Sequence, residues 1–226
     1  MSDDTSKSLM FKLPRFTEER LQSYALAVGQ ATLAWNDLHE HMARLFSMVV
    51  ITTGESREQA LAIWQALIVD RAKRQVLLAA AENLPDLEPW PSLQADVAWL
   101  CDRVNSLEDA RNNIVHGPLA MQIRLSAFHD RPSAKQARQR ATVTPLVLGG
   151  NTRAKKMAGK DLLAEFRRVR DHAVALRTFA AKMDDALNNT ALSWPARPRG
   201  LGGDSPKTRP QSLQASLAGP QRQPRP

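Results

Sequence analysis

The sequence predicts an all-α fold, a bundle of about four long helices with a small β-hairpin inserted between the third and the fourth. Four segments repeat apolar residues at steps of three and four, the period of a helix that buries one face. Partial alternation of apolar residues is confined to about residues 119–148. The 226 residues suffice for one helical domain with a substantial core, but not for two full domains.

The first predicted helix runs from Thr17 to about Val50. Thr17 is suited to an N-cap, and Glu18 and Glu19 follow in the first turn, where the helix dipole favours acidic side chains. The apolar stripe extends along the whole segment and consists of Leu21, Ala25, Val28, Trp35, Leu38, Met42, Leu45 and Val49. We therefore expect this helix to bury one face over its full length.

Two further helices are predicted before the hairpin. Ser56 with Gln59 matches a capping box and opens a second helix that continues to about Ala81. Its charged stretch, residues 70–74, is typical of a solvated face. The third helix begins after Ser92 and ends at His116, because Gly117-Pro118 is a common termination signal.

The hairpin is predicted from two strands, residues 119–128 and 141–148, joined by a long polar and basic connection. A last helix follows from about Gly159 to Leu187, with apolar residues again at helical spacing. The chain thus divides into a polar leader (1–16), a helical domain (17–190) and a tail (191–226). The tail is rich in Pro, Gly, Gln and Arg, which predicts disorder.

The net charge of +8 is concentrated in that tail. Residues 195–226 contain six Lys and Arg against Asp204 alone, which leaves +5 there and +3 for the rest of the chain. A basic tail suits nucleic acid. It is equally compatible with a solvated end that has no ligand.

Other features limit the compartment and the cofactors. Cys101 is the single cysteine, so a disulfide framework and a zinc site are not expected. The sequence has no stretch of signal-peptide or transmembrane type, and we expect a cytoplasmic protein without a membrane partner. It has no phosphate-binding glycine loop of the usual spacing, so we expect no cofactor.

The candidate site is the run from Arg111 to His116. The stripe of the third helix passes through Leu107, falls on Arg111, and resumes at Ile114, so a cation stands where an apolar residue is expected. Asn112 and His116 are four residues apart and share a helix face. Arg111 and His116 lie about 140° apart around the axis and roughly 7.5 Å along it, so they can line one cleft.

These residue types suit metal-free cleavage of RNA. His116 can take or give a proton near neutral pH. Arg111 offers a fork of donors that matches phosphate oxygens, and Asn112 can orient the histidine or the phosphate. The motif supplies one histidine where two proton transfers are needed, so a two-fold dimer would provide the second group.

The sequence resembles the HEPN family (higher eukaryotes and prokaryotes nucleotide-binding) over about residues 17–190. The residues that carry the resemblance are the run 111–116, which is similar to the family's arginine, polar residue and histidine signature, and the segments 35–40 and 70–75. The resemblance implies a HEPN-like helical bundle acting as a homodimeric, metal-independent endoribonuclease, with Arg111 and His116 catalytic and Asn112 assisting. It also implies RNA as substrate, a toxin–antitoxin or phage-defence setting, and an antitoxin or effector protein as a possible partner.

Two alternatives remain open. The chain could be a non-catalytic module of the same fold that holds RNA, a nucleotide or a protein. It could also be a helical interaction protein in which Arg111 pairs with Glu108 or Glu82 and His116 bonds the last helix carbonyls. His39, four residues beyond Trp35, either approaches the site or is simply packed or exposed, and a packed or exposed histidine is the more common case.

Overall fold

A computed structural model of the chain describes residues 15–52, 54, 56–84, 90–117, 119–123, 141–145 and 151–201. These ranges are mostly helical, which confirms the predicted class. They contain α1 (Arg15–Ile51), α2 (Arg57–Ala66), α3 (Asp70–Glu82), α4 (Leu93–His116), β1 (Leu119–Ile123), β2 (Ala141–Pro145), α5 (Thr152–Met157) and α6 (Leu162–Asn188). The described residues thus form six helices, not about four, because one predicted helix is divided and α5 was not predicted.

Helix α1 is the longest element, at 37 residues. It begins at Arg15, two residues before the predicted N-cap at Thr17, so the helical domain starts inside the predicted leader. The predicted stripe is buried from its middle onward, at Trp35, Leu38, Met42, Leu45 and Val49. Towards its N-terminus the helix is more exposed, and Leu26 keeps 61 % of its surface accessible.

The predicted second helix is two helices in the structure. Leu67 and Val69 have extended backbones that separate α2 from α3, and Ile68 between them is 95 % exposed. In one straight helix Trp64 and Leu77 would lie about 140° apart. The break allows both side chains to be buried in the same core. The β-branched Ile68 and Val69 favour the extended conformation.

Side-chain caps begin three of the helices. Ser56 accepts a hydrogen bond from the Gln59 backbone N–H, as the capping box predicts. Asn151 caps α5 and Asp161 caps α6 in the same way, through the N–H groups of Ala154 and Ala164. Helix α4 begins after Ser92 as predicted, but the Ser92 side chain makes no capping bond.

The most extensive helix–helix contact joins α1 and α6. Two hydrogen-bonded pairs give their relative direction, because Arg170 meets Gln30 and Arg177 meets Asp37, seven residues further along both helices. The two helices therefore run parallel. Helix α4 packs against α3 and α6, and α1 contacts α2, α3 and α4, so one apolar core lies between these helices.

The strands β1 and β2 pair antiparallel, with Met121 opposite Val143. They follow α4 directly and lie within the segment predicted as a hairpin. Residues 124–140 and 146–150 lie outside the described part of the chain. The long connection and the full extent of the insertion therefore stay predictions.

Residues 191–201 are part of the folded unit, which corrects the prediction that the disordered tail begins at 191. We call residues 194–201 the C-terminal strap. It has no regular secondary structure, yet the Trp194 indole donates to Asp96 Oδ2 at 2.7 Å and Arg197 Nε donates to Asp96 Oδ1 at 2.5 Å. Asp96 is 5 % exposed, so the strap supplies the partners of a buried carboxylate. Residues 202–226 lie outside the described part.

Candidate functional site

The candidate motif lies in the last two turns of α4. The helix ends at His116, and Gly117 has an extended backbone with φ −80° and ψ 118°. A Cβ atom at position 117 would lie 2.3 Å from the Asn113 carbonyl oxygen, which is far inside contact distance. Glycine is therefore required here by the close approach of the backbone. The helix stop that the sequence predicted is present.

Arg111 replaces an apolar residue between two buried ones, as predicted. Leu107 and Ile114, on either side in the stripe, are each 4 % exposed, whereas Arg111 is half-buried. Its guanidinium carbon lies 5.6 Å from the centroid of the Trp35 ring. This cation–π contact is worth about 0.5–2 kcal/mol, depending on how far the cation is desolvated. The Trp35 ring of α1 therefore lies against the Arg111 side chain of α4.

Asn112 accepts a hydrogen bond from the same guanidinium. Arg111 Nη1 donates to Asn112 Oδ1 at 3.0 Å, while Arg111 Nε is buried and has no hydrogen-bond partner among the described residues. Arg111 is therefore oriented by a ring and an amide, and keeps N–H donors for a further ligand. A neutral amide orients the cation without neutralising it.

His116 is exposed on the last turn. Within the described residues no hydrogen bond or ion pair joins it to Arg111 or Asn112. The structure thus brings together two of the three predicted residues in direct contact, and places the third beyond them at the end of the same helix.

Behind Arg111 lies a buried polar cluster that links α1 to α3. The Trp35 indole donates to Asp70 Oδ2 at 3.3 Å, and His39 Nε2 lies 3.7 Å from the same oxygen. The centroid of the His39 ring lies 4.9 Å from that of the Trp35 ring, with the planes tilted by 46°, and His39 is 9 % exposed. His39 is thus packed against the aromatic ring that also contacts Arg111.

Burial lowers the pKa of His39 to about 4. Asp70 acts in the opposite direction, whereas the positive charges of Arg74, Lys73 and Arg111 lower the pKa further. His39 is therefore neutral at pH 7, and both of its ring nitrogens lack hydrogen-bond partners among the described residues. A protonated His39 would be repelled by the positive charges of Arg74, Lys73 and Arg111.

Arg74 connects the cluster to α4. It is 1 % exposed, its Nε donates to Asn105 Oδ1 at 2.7 Å, and its Nη2 donates to the Glu108 carboxylate. The prediction that residues 70–74 form a solvated face is therefore wrong for Arg74. Glu108, one of the two proposed partners of Arg111, is paired with Arg74 instead.

The sequence analysis did not predict the bonds that join Arg74 to Asn105 and Glu108, although a signal was present. Arg74 stands three residues before Leu77 and seven before Ala81, both buried, so it continues the stripe of α3. On α4, polar residues recur at steps of four, three and four, at Cys101, Asn105, Glu108 and Asn112. The helical period, applied to polar residues as well as apolar ones, identifies a polar seam between α3 and α4.

Cys101 is not a reactive group in this seam. Burial raises the pKa of its thiol to about 12, and Sγ lies 3.7 Å from the Arg74 carbonyl oxygen. In the described ranges, no three His, Cys, Asp or Glu side chains are grouped in a way that could hold a metal ion. The same part of the chain contains no helix with the length and apolarity needed to cross a membrane.

Comparison of the chain with protein-family models, with curated proteins and with solved structures finds no match.

Proposed function

We propose that the chain is a HEPN-like protein that binds RNA and cleaves it without a metal ion at the end of α4. One observation carries the proposal. Arg111 stands in an apolar seam, stacked on Trp35 and bonded to Asn112, five residues before an exposed histidine. A cation kept half-buried in this way is already desolvated in part and has few conformations to lose when it binds a phosphate.

The reaction assigns one task to each residue. His116 removes the proton from a ribose 2′-hydroxyl, and the oxygen attacks the adjacent phosphorus. Arg111 stabilises the negative charge that develops on the phosphorus-bound oxygens, with Asn112 fixing its orientation. The bond to the 5′-oxygen breaks, and that oxygen takes a proton from a second acid. The products are a 2′,3′-cyclic phosphate and a 5′-hydroxyl.

A homodimer provides that second acid. Since the motif contains a single histidine, His116 of a symmetry-related copy is the group proposed to protonate the leaving oxygen. The exposure of His116 at a helix end is compatible with a second copy facing it. An antitoxin or effector protein could also cover this surface.

The second candidate function is binding without turnover. His116 has no residue that orients its ring within the described part of the chain, whereas catalytic histidines are usually held by a hydrogen bond. Under this alternative Arg111 and Asn112 bind a phosphate of RNA or a nucleotide, and no bond is broken.

Cleavage assays in EDTA separate the two functions. The purified protein, Arg111→Ala, Asn112→Ala and His116→Ala are incubated with structured and unstructured RNA. We expect roughly a hundredfold or greater loss of rate in His116→Ala and Arg111→Ala. Arg71→Ala, an exposed arginine on α3, is the matched control and should cleave like the unmodified protein.

The outcomes are distinct. Equal cleavage by all variants would contradict the catalytic assignment and point to a contaminating nuclease. RNA binding that needs Arg111 but yields no product in any variant would favour the binding module. Light scattering on the same samples gives the mass, and a protein that cleaves as a monomer would exclude the shared site.

A further inference from the structure

A small polar pocket lies between α4 and α6, apart from the Arg111 site. It encloses about 70 Å³. Pockets that enclose drug-sized molecules measure roughly 300–1,000 Å³, so this one has room for a single small group. The polar side chains that line it are Arg103, Ser106, Arg168 and His172.

The lining is rich in hydrogen-bond donors. Arg168 donates from Nη2 to Glu165 at 2.9 Å and keeps other N–H groups, while the Arg103 guanidinium lies 5.6 Å from the Trp99 ring. Ser106 Oγ donates to the Asp102 carbonyl oxygen at 2.9 Å, and its hydroxyl hydrogen can rotate towards a ligand. Donors from two helices thus converge on one small volume.

Two carboxylates near the pocket have cationic partners. Glu165 pairs with Arg168 at 2.9 Å and lies 3.9 Å from Lys160, and Asp171 pairs with Arg170 at 2.8 Å. Partial burial and the charge of Arg168 lower the pKa of His172, although Asp171 and Glu165 act in the opposite direction. His172 is therefore neutral at pH 7, and its ring can donate or accept a hydrogen bond at the pocket.

Apolar residues close the remaining sides. Leu107 and Leu176 come from α4 and α6, and Leu201 comes from the end of the described C-terminal strap. Leu201 reaches this position because Trp194 and Arg197 fix the strap to Asp96. Donors backed by apolar walls bind an anion more strongly than donors in open water, because the local dielectric is lower.

We propose that this pocket binds the terminal phosphate of a phosphomonoester, such as the 5′-phosphorylated end of an oligoribonucleotide. The volume admits a phosphate but not a nucleoside. A terminal phosphate carries about 1.5–2 negative charges at pH 7 and three acceptor oxygens, whereas an internal phosphodiester carries one charge. The remaining Arg168 N–H groups, Ser106 and His172 therefore favour the terminal group. The proposal does not depend on ribonuclease activity, since none of the four polar residues belongs to the Arg111 motif.

The test uses the full chain with His116→Ala, so that cleavage does not change the ligand. A ten-nucleotide RNA with a 5′-phosphate is compared with the same RNA carrying a 5′-hydroxyl, by fluorescence anisotropy of a 3′ label. We expect about tenfold or tighter binding of the phosphorylated RNA. Inorganic phosphate should compete away this preference but leave the binding of the hydroxyl RNA.

Two substitutions locate the effect. Arg168→Gln and His172→Gln should each abolish most of the preference. Arg167→Gln is the matched control, because Arg167 is an adjacent exposed arginine outside the pocket. In an NMR titration with inorganic phosphate, the pKa of His172 should rise as the anion binds.

Three results would overturn the proposal. The first is equal affinity for the phosphorylated and the hydroxyl RNA. The second is an equal loss of the preference for the phosphorylated RNA in Arg168→Gln and Arg167→Gln. The third is a preference that survives in the double variant Arg168→Gln with His172→Gln. If the 5′-phosphate preference is present while the unmodified protein cleaves no RNA, the pocket stands and the nuclease proposal fails.

Discussion

Arg74 and Arg111 both occupy positions of an apolar stripe, and their surroundings give them different roles. Arg74 is buried and bonded to Asn105 and the Glu108 carboxylate, so its charge is matched inside the protein. Arg111 is half-buried and bonded to a neutral amide. A matched charge braces two helices, whereas an unmatched one is suited to an anionic ligand.

Replacing Arg74 tests its bracing role. Arg74→Met leaves the Glu108 carboxylate and the Asn105 amide without their donor, and breaking a buried pair costs about 3–5 kcal/mol. Glu108 is 29 % exposed in its side chain, so we expect a loss near 3 kcal/mol in the free energy of unfolding, measured with urea. Arg71→Met, an exposed neighbour, should change it by less than about 0.5 kcal/mol. Equal effects of the two substitutions would contradict the assignment.

His39 predicts how stability depends on pH. The unfolded chain has a histidine pKa near 6.5 and the folded protein has one of about 4, so the unfolded state binds the proton more readily between these values. The contribution of His39 to stability is full above pH 6.5 and is lost as pH falls through 4. A difference of this size corresponds to at most about 3 kcal/mol.

Comparing the protein with His39→Gln isolates this contribution from other acid-sensitive groups. The difference in unfolding free energy between the two proteins should shrink as pH is lowered from 7 to 4. A difference that is constant over this range would show that His39 does not titrate as the structure implies.

At the scale of elements, positions on α4 were predictable because the helix has a regular stripe and a glycine that permits its stop. The division of α2 from α3 was not predictable, since Ile63, Trp64, Leu67 and Ile68 continue the helical pattern across the break. Which of these residues is buried depends on where the rest of the bundle lies. Ile63 and Ile68 are in fact exposed.

The packing of the C-terminal strap could not be predicted from its amino-acid composition. Its prolines and arginines resemble those of the residues that follow, and its role depends on Asp96, about a hundred residues earlier in the chain. Local sequence carries no sign of that partner. A buried Asp96 in the first turn of α4 becomes informative only after the helices are packed.

Truncation tests the strap. A protein ending at residue 193 loses both hydrogen-bond donors of the Asp96 carboxylate, which should cost about 3 kcal/mol and lower Tm by roughly 6–12 °C. A protein ending at residue 201 keeps the strap and should melt within about 2 °C of the full chain, because residues 202–226 are poor in apolar side chains. Asp96→Asn should recover part of the loss in the shorter protein. Identical Tm values for both truncations would contradict the role of the strap.

For the whole molecule, the helical class followed from periodicity, and the position of the motif followed from periodicity together with the stop signal after His116. The partner of each buried polar group did not, because Trp35, Arg74 and Arg111 come from three different helices. Periodicity shows which face of a helix is buried, but not which residue of another helix it meets. The polar interruption of the α4 stripe at Arg111 was therefore predicted, whereas the buried hydrogen bonds of Arg74 were not.

The distribution of charge gives a prediction for the whole chain. Residues 202–226 contain Lys207, Arg209, Arg222 and Arg225 against Asp204, a net charge of +3. If they contact RNA phosphates, removing them should reduce the slope of log affinity against log salt by about 0.7 for each lost contact, at most about 3 in total. Anisotropy titrations at several salt concentrations measure the slope. An unchanged slope would show that this segment does not act through phosphates.

The parallel packing of α1 and α6 has a consequence for how the chain folds. The largest contact surface of the bundle joins segments about 140 residues apart, as the pairs Gln30–Arg170 and Asp37–Arg177 show. Such distant contacts are slow to form, and during synthesis α1 emerges from the ribosome long before its neighbour exists. Until α6 has been synthesised and has left the ribosome, the face of α1 that packs on α6 lacks its partner.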